Sequence, residues 1–133
     1  MSPIITPYPI RRSRRLRRIG WIRDLVSENQ ISISDLIWPV FVCDGLDKRE
    51  PIESLPGVYR YSIDKIVEIA QQATDLGIRC VALFPNTPKN LKTPDCSESW
   101  NPNNLVNKAT RAIKKVTPEL GVMLDVALDP YNS

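Results

Sequence analysis

Histidine is absent from all 133 residues. That removes the commonest general base and the commonest metal ligand, so catalysis here has to use carboxylates, lysines, tyrosines or thiols. Cysteine is scarce: Cys43, Cys80 and Cys96 are odd in number and show no Cys-x-x-Cys spacing. This argues against an exported disulfide framework and for a reducing compartment. No apolar run approaches the length of a bilayer span. The N-terminal arginines lead into Ile19-Gly-Trp-Ile-Arg-Asp24, not into the continuous apolar core of a secretory signal. A cytoplasmic protein that does not engage a membrane is the expectation. No internal repeat is visible either.

What is present is ordinary in bulk and uneven in detail. Hydrophobic residues make up 42% and charged residues 25%, as in a soluble globular domain long enough to bury a core. The formal net charge of +3 is concentrated at one end. Residues 1–30 hold seven arginines against Asp24 and Glu28, whereas the remainder is slightly acidic. Residues 1–10 carry three prolines and no helical period, which predicts an extended or disordered arm. For Arg11-Arg-Ser-Arg-Arg-Leu-Arg-Arg18, three readings compete: a nucleic-acid arm, a solvated charge cluster, and an arm that pairs with a neighbouring subunit's carboxylates. No aromatic interleaving or known binding fold supports the first. Trp21, Ile22, Leu25 and Val26 then recur at helical spacing, predicting a short amphipathic helix over Gly20–Glu28.

Residues 31–133 read as β-α-β-α-β. After a turn at Ser32–Asp35, the run Leu36–Cys43 is apolar enough to be a strand buried on both faces. Pro39 conflicts with a central position there, because proline donates nothing to a ladder. Residues 44–61 are a long polar connection whose segments flanking Pro56-Gly57 can pair as a hairpin. Ser62 is placed as an N-cap, Ile63 to Leu76 as an amphipathic helix and Gly77 as its stop. The second strand is Ile78–Phe84. A long loop over 85–100 leads to a helix with Asn101 as N-cap and Pro102 at its first position. Its apolar face is Leu105, Ala109, Ala112, Ile113 and Val116. The third strand starts near Leu120 and runs, nearly unbroken, to Leu128.

Strand starts at Leu36, Ile78 and Leu120 are evenly spaced, as in a (β/α) barrel or a doubly wound sheet. The long connections leave the C-terminal ends of strands, which marks that side as the functional face. Two carboxylates, Asp125 and Asp129, fall in or beside the last strand, and ionised groups are costly to bury without partners. The plain alternative is that Asp125 ends the strand and Asp129 opens a turn with Pro130. Phe84, ending the second strand, either lines the same face or fills the core.

Several segments resemble one family. Leu124-Asp-Val-Ala-Leu-Asp-Pro-Tyr-Asn-Ser133 is similar to the metal-motif strand of porphobilinogen synthase, also called 5-aminolevulinate dehydratase. Arg14-Arg-Leu-Arg-Arg18, Ile37-Trp-Pro-Val-Phe-Val42, Arg49-Glu-Pro-Ile-Glu-Ser-Leu-Pro-Gly-Val-Tyr-Arg60, Val81-Ala-Leu-Phe-Pro85 and Asn101-Pro-Asn-Asn-Leu-Val106 extend the likeness across Arg14 to Ser133. The resemblance implies the condensation of two 5-aminolevulinate molecules into porphobilinogen with loss of two waters, in tetrapyrrole and haem synthesis. It implies an α/β fold: an N-terminal arm (1–30) and the first three units of a (β/α)8 TIM barrel (31–133). Strands are expected near 36–43, 78–84 and 120–128. Such a barrel needs about 250 residues, so this chain reads as a piece of one. The family's arm wraps a neighbour, usually in an octamer, which ranks a subunit contact through residues 1–30 above nucleic acid.

By the same resemblance Asp125 matches an active-site aspartate, Phe84 an aromatic lining the substrate pocket, and Asp129 a metal-ligand position. Ala127 and Asp129 stand where some members have zinc-binding cysteines. The carboxylate version argues against active-site zinc and for Mg2+ in the complete enzyme. The family's two Schiff-base lysines lie on later strands, and the role passes to none of Lys65, Lys89, Lys92 or Lys108. If Ser133 is the terminus, the expectation is no dehydratase activity for the chain alone, and a non-catalytic chain binding a partner subunit or nucleic acid through its arginines becomes the alternative.

Overall fold

The computed structural model describes residues 9–10 and 14–133. The expected arm over residues 1–10 and the first arginines of the basic run lie mostly outside the described residues. Contacts divide the chain into two units, Met1–Ile31 and Ser32–Ser133. In the first, a single 3-10 turn at Arg15–Arg17 precedes helix α1, Gly20–Leu25, which ends three residues before the predicted limit. The Arg23 guanidinium donates to the Arg17 carbonyl at 3.2 Å. Trp21 and Leu25 are exposed in this unit.

The second unit is built on a five-stranded sheet of order β2-β3-β1-β4-β5. Its strands are β1 (Ile37–Val42), β2 (Arg49–Pro51), β3 (Tyr59–Tyr61), β4 (Cys80–Pro85) and β5 (Gly121–Leu124). β2 and β3 form the expected hairpin, with Arg49 opposite Tyr61. β1 is parallel to both β3 and β4, and β4 is parallel to β5. Helices α2 (Ile63–Asp75) and α3 (Leu105–Val116) pack on each other and on the sheet. The core is the layer between them: Val40, Val42, Val81 and Leu83 from the strands, Ile66, Ala70 and Ala73 from α2, and Val106, Ala109 and Ile113 from α3.

Pro39 lies inside a central strand, and the ladder shows why it is tolerated. The Cys43 N–H donates to Tyr61 in β3, while Val42 accepts from Asn86 beyond β4. Successive residues of a strand turn their polar groups to opposite neighbours, so Cys43, Phe41 and Pro39 face β3. Pairing with β3 begins only at Phe41, opposite Arg60. The missing N–H of Pro39 therefore falls before β3 starts, where no acceptor waits.

Within the described residues the first strand is buried on one face only. Val40 and Val42 turn to the helices, but Ile37 is 47% exposed on the opposite face. No described element covers that face. The last strand is also shorter than predicted: β5 stops at Leu124, pairs only with β4, and leaves Val126 96% exposed. β4 runs on to Pro85 beside β1, so β5 leaves the ladder two residues before its neighbour ends.

Caps explain the helix limits. Gly77, at φ +82°, donates to Thr74 while Ile78 donates to Ala73, both at 2.9 Å. This is a Schellman ending, as the glycine predicted. Ser62 occupies the N-cap position of α2, but its hydroxyl accepts from Lys48 N–H at 2.9 Å and ties the β1–β2 loop down instead. The N-cap predicted at Asn101 is wrong by three residues. Asn101 Oδ1 takes the Asn103 N–H within a turn, and Asn104 Oδ1 caps α3 by accepting from Asn107 N–H at 2.9 Å. With α3 starting at Leu105, its buried face includes Val106, and Val116 is 52% exposed.

Candidate active site

Parallel βα units direct the C-terminal ends of their strands, and the loops that follow, to one side. β4 ends there with Phe84 and Pro85, and β5 ends there with Leu124. Phe84 stands beside Phe41 of β1 on the sheet face away from the helices, with ring centroids 5.6 Å apart. It is 36% exposed, on a sheet face that no described element covers. Asp125 follows β5 directly. Asp129 and Pro130 open a 3-10 turn ending at Tyr131.

These pieces meet. Phe84, Asp125, Ala127 and Asp129 line one cavity of about 170 Å³, closed behind by Leu83, Val106 and Tyr131. Phe84 and Asp125, 41 positions apart, are thus brought to a single site by the β4–β5 pairing. The environment differs from expectation in one respect: both carboxylates are exposed, not buried in a strand. Among the described residues neither carries an ion pair. They are free to face a ligand.

Asp125 and Asp129 offer hard oxygen ligands to one cavity, but Mg2+ or Ca2+ takes six or more ligands and zinc four. Among the described residues no group of three or more Cys, Asp or Glu side chains is placed to hold a metal. The residues described here do not make a metal site by themselves.

Sequence reasoning missed Tyr131. It is 7% exposed, and burial first, then the Glu98 charge, raises its phenol above the usual tyrosine range. Its carbonyl accepts from Thr93 N–H at 3.1 Å, which joins the Asp129 turn to the loop after β4. A lone aromatic after a proline carries no periodic signal of burial. The seven lysines all lie on helices, loops or turns, and none within a strand.

Fold and cavity together define an α/β protein of parallel βα units with an acidic, aromatic-lined pocket at the C-terminal ends of its strands. The sequence pattern of the delta-aminolevulinic acid dehydratase family matches residues 10–133, and the chain belongs to that family. It is 53% identical to the delta-aminolevulinic acid dehydratase of Bradyrhizobium diazoefficiens over 92% of this chain and 35% of the relative. The Rhodobacter capsulatus enzyme is 40% identical across the whole chain and 40% of its own length. A crystal structure of the Toxoplasma gondii enzyme, solved with the reaction product porphobilinogen, superposes with a TM-score of 0.82 at 39% identity. That match covers 92% of this chain and 35% of the parasite enzyme. The chain therefore spans well under half the length of the relatives it matches. No described helix is long and apolar enough to cross a membrane.

Proposed function

We propose that these residues are the first βα units of a (β/α)8 barrel that acts as a porphobilinogen synthase. In this reading two 5-aminolevulinate molecules condense to porphobilinogen with release of two waters, a lyase reaction early in tetrapyrrole and haem synthesis. The observation that carries it is the single cavity shared by Phe84, Asp125 and Asp129. Phe84 packs against the substrate's carbon chain. Asp125, an exposed carboxylate, takes the charge of a substrate ammonium group and holds it for the condensation. Schiff-base formation requires a partly neutral lysine in a desolvated or cationic pocket. Lys65, Lys89, Lys92 and Lys108 stand on helices, loops and turns, so that role belongs to strands beyond Ser133. The 133 residues alone are inactive in this account.

The one-sided sheet supports the barrel. β1, β4 and β5 advance in one direction with both helices on one face, and right-handed crossovers place helices on a common face only when strand order does not reverse. The opposite face, with Ile37, Phe41, Phe84 and Met123, would then point into the barrel. Carboxylate in place of thiolate at Asp129 suits Mg2+ over zinc, with further donors supplied from outside these residues. Residues 1–30 would contact a neighbouring subunit of a homo-octamer in the cytoplasm.

The test is borohydride trapping of 5-aminolevulinate on the complete protein, followed by peptide mapping. The expected adducts lie on lysines outside residues 1–133. An adduct on any lysine from Lys48 to Lys115 would refute the assignment.

A further inference from the structure

Beyond β5 one residue anchors the chain. From Asp125 to Ser133 every residue is exposed or half-buried except Tyr131, which is 7% exposed. Both carboxylates of the candidate site lie in this stretch, with Val126 96% exposed between them. The sheet does not hold them, because its last pair here is Leu124 opposite Leu83.

Tyr131 is tied on two sides. Its N–H and that of Asn132 donate to the Leu128 carbonyl, at 2.9 and 3.1 Å, and close the turn that carries Asp129. Its carbonyl accepts from Thr93 N–H at 3.1 Å. Thr93 is itself fixed, since its hydroxyl oxygen accepts from Ser97 N–H at 3.2 Å. The next two residues are held by Asn104, whose Nδ2 donates to the Glu98 and Ser99 carbonyls, each at 3.3 Å, while its Oδ1 caps α3. A path of contacts thus runs from the start of a packed helix, through the loop after β4, to the turn bearing Asp129. Tyr131 is also a wall of the cavity that holds Phe84 and Asp125. Burial, then the Glu98 charge, raises its phenol, so the side chain is uncharged at neutral pH and acts by packing.

We propose that Tyr131 is the positioning residue that holds Asp125 and Asp129 at the cavity. The inference rests on the dehydratase reading for what the carboxylates do there, and adds how they are kept in place. Reacting groups on an irregular segment need such support, because a misplacement of about 1 Å can cost about 100-fold in rate.

The experiment compares the complete protein with its Tyr131→Ala and Tyr131→Phe variants, by amide hydrogen exchange and by porphobilinogen formation. Exchange reads local order without any need for activity. In Tyr131→Ala the amides of Thr93 and Asn132 should exchange at least about tenfold faster while those of β4 and α3 keep the parent rates. Tyr131→Ala should lower kcat/KM about 100-fold in the parent background but less than about threefold in Asp125→Asn, since a residue acting through Asp125 has little left to position once that charge is gone. Tyr131→Phe keeps the ring and should stay within about threefold of the parent in both readouts. Equal losses in the two backgrounds, unchanged exchange at Thr93, or a uniform rise in exchange across the fold would overturn the proposal. Should Tyr131→Ala not fold, Tyr131→Leu takes its place under the same criteria. A parent protein that makes no porphobilinogen would refute the dehydratase reading alone, and exchange would then decide the positioning.

Discussion

At the scale of single residues, the acid Asp35 illustrates how local hydrogen bonds set charge. Its carboxylate accepts from the Ser32 backbone N–H at 2.7 Å and from the Ser32 hydroxyl at 2.9 Å. The backbone bond is the larger cause holding its pKa below the usual aspartate value. A depressed folded-state pKa contributes stability that is present above the unfolded value, about pH 4, and lost as pH falls through the folded one. Asp35→Asn should therefore lower stability at neutral pH and flatten the acid limb of a thermal-midpoint profile. A parallel downward shift at every pH would contradict this. The same scale shows what sequence could reveal. Asp125, Asp129 and Phe84 were visible as chemistry-bearing residues at strand ends. Their meeting at one cavity depends on the register of β4 against β5, which no local pattern encodes. The choice of Asn104 over Asn101 as cap was also hidden, because both asparagines precede an apolar run and only the turn through Pro102 separates their roles.

At the scale of elements, glycine and asparagine end and begin the helices. Gly77 holds φ +82°, a conformation that costs a residue with a Cβ about 1 kcal/mol or more. Gly77→Ala should destabilise by about that much in denaturant titration, whereas an unchanged midpoint would deny the Schellman ending its role. Asn104→Ala removes the cap of α3 and also the donor to Glu98 and Ser99 carbonyls. A loss of about 1–2 kcal/mol is expected, and a change no larger than that of Asn101→Ala would place the cap elsewhere. Strands β1 and β4 and helix α2 were legible because period and punctuation agree there. β5 was overextended, since an apolar run up to Leu128 does not show where the strand leaves its neighbour. The strand ends with its last pair, Leu124 opposite Leu83.

At the scale of the whole molecule, the sheet has a finished side and an open one. Core residues seal the helix side, while Phe84, Ile37 and Met123 leave apolar surface on the other. In the proposed barrel that face becomes interior, and the carboxylates beyond β5 look into the active site. The arginine-rich segment is predicted to serve assembly: removing residues 1–18 from the complete protein should lower its oligomeric mass in light scattering. Salt-sensitive nucleic-acid binding lost on the same deletion would instead favour the alternative role for the arginines. The most direct test of the central claim is porphobilinogen formation by the complete protein and its Asp125→Asn variant. The account predicts at least a 100-fold loss of activity with an unchanged thermal midpoint, as expected when a preorganised charge facing the substrate is removed. A variant that forms porphobilinogen at the parent rate would contradict it.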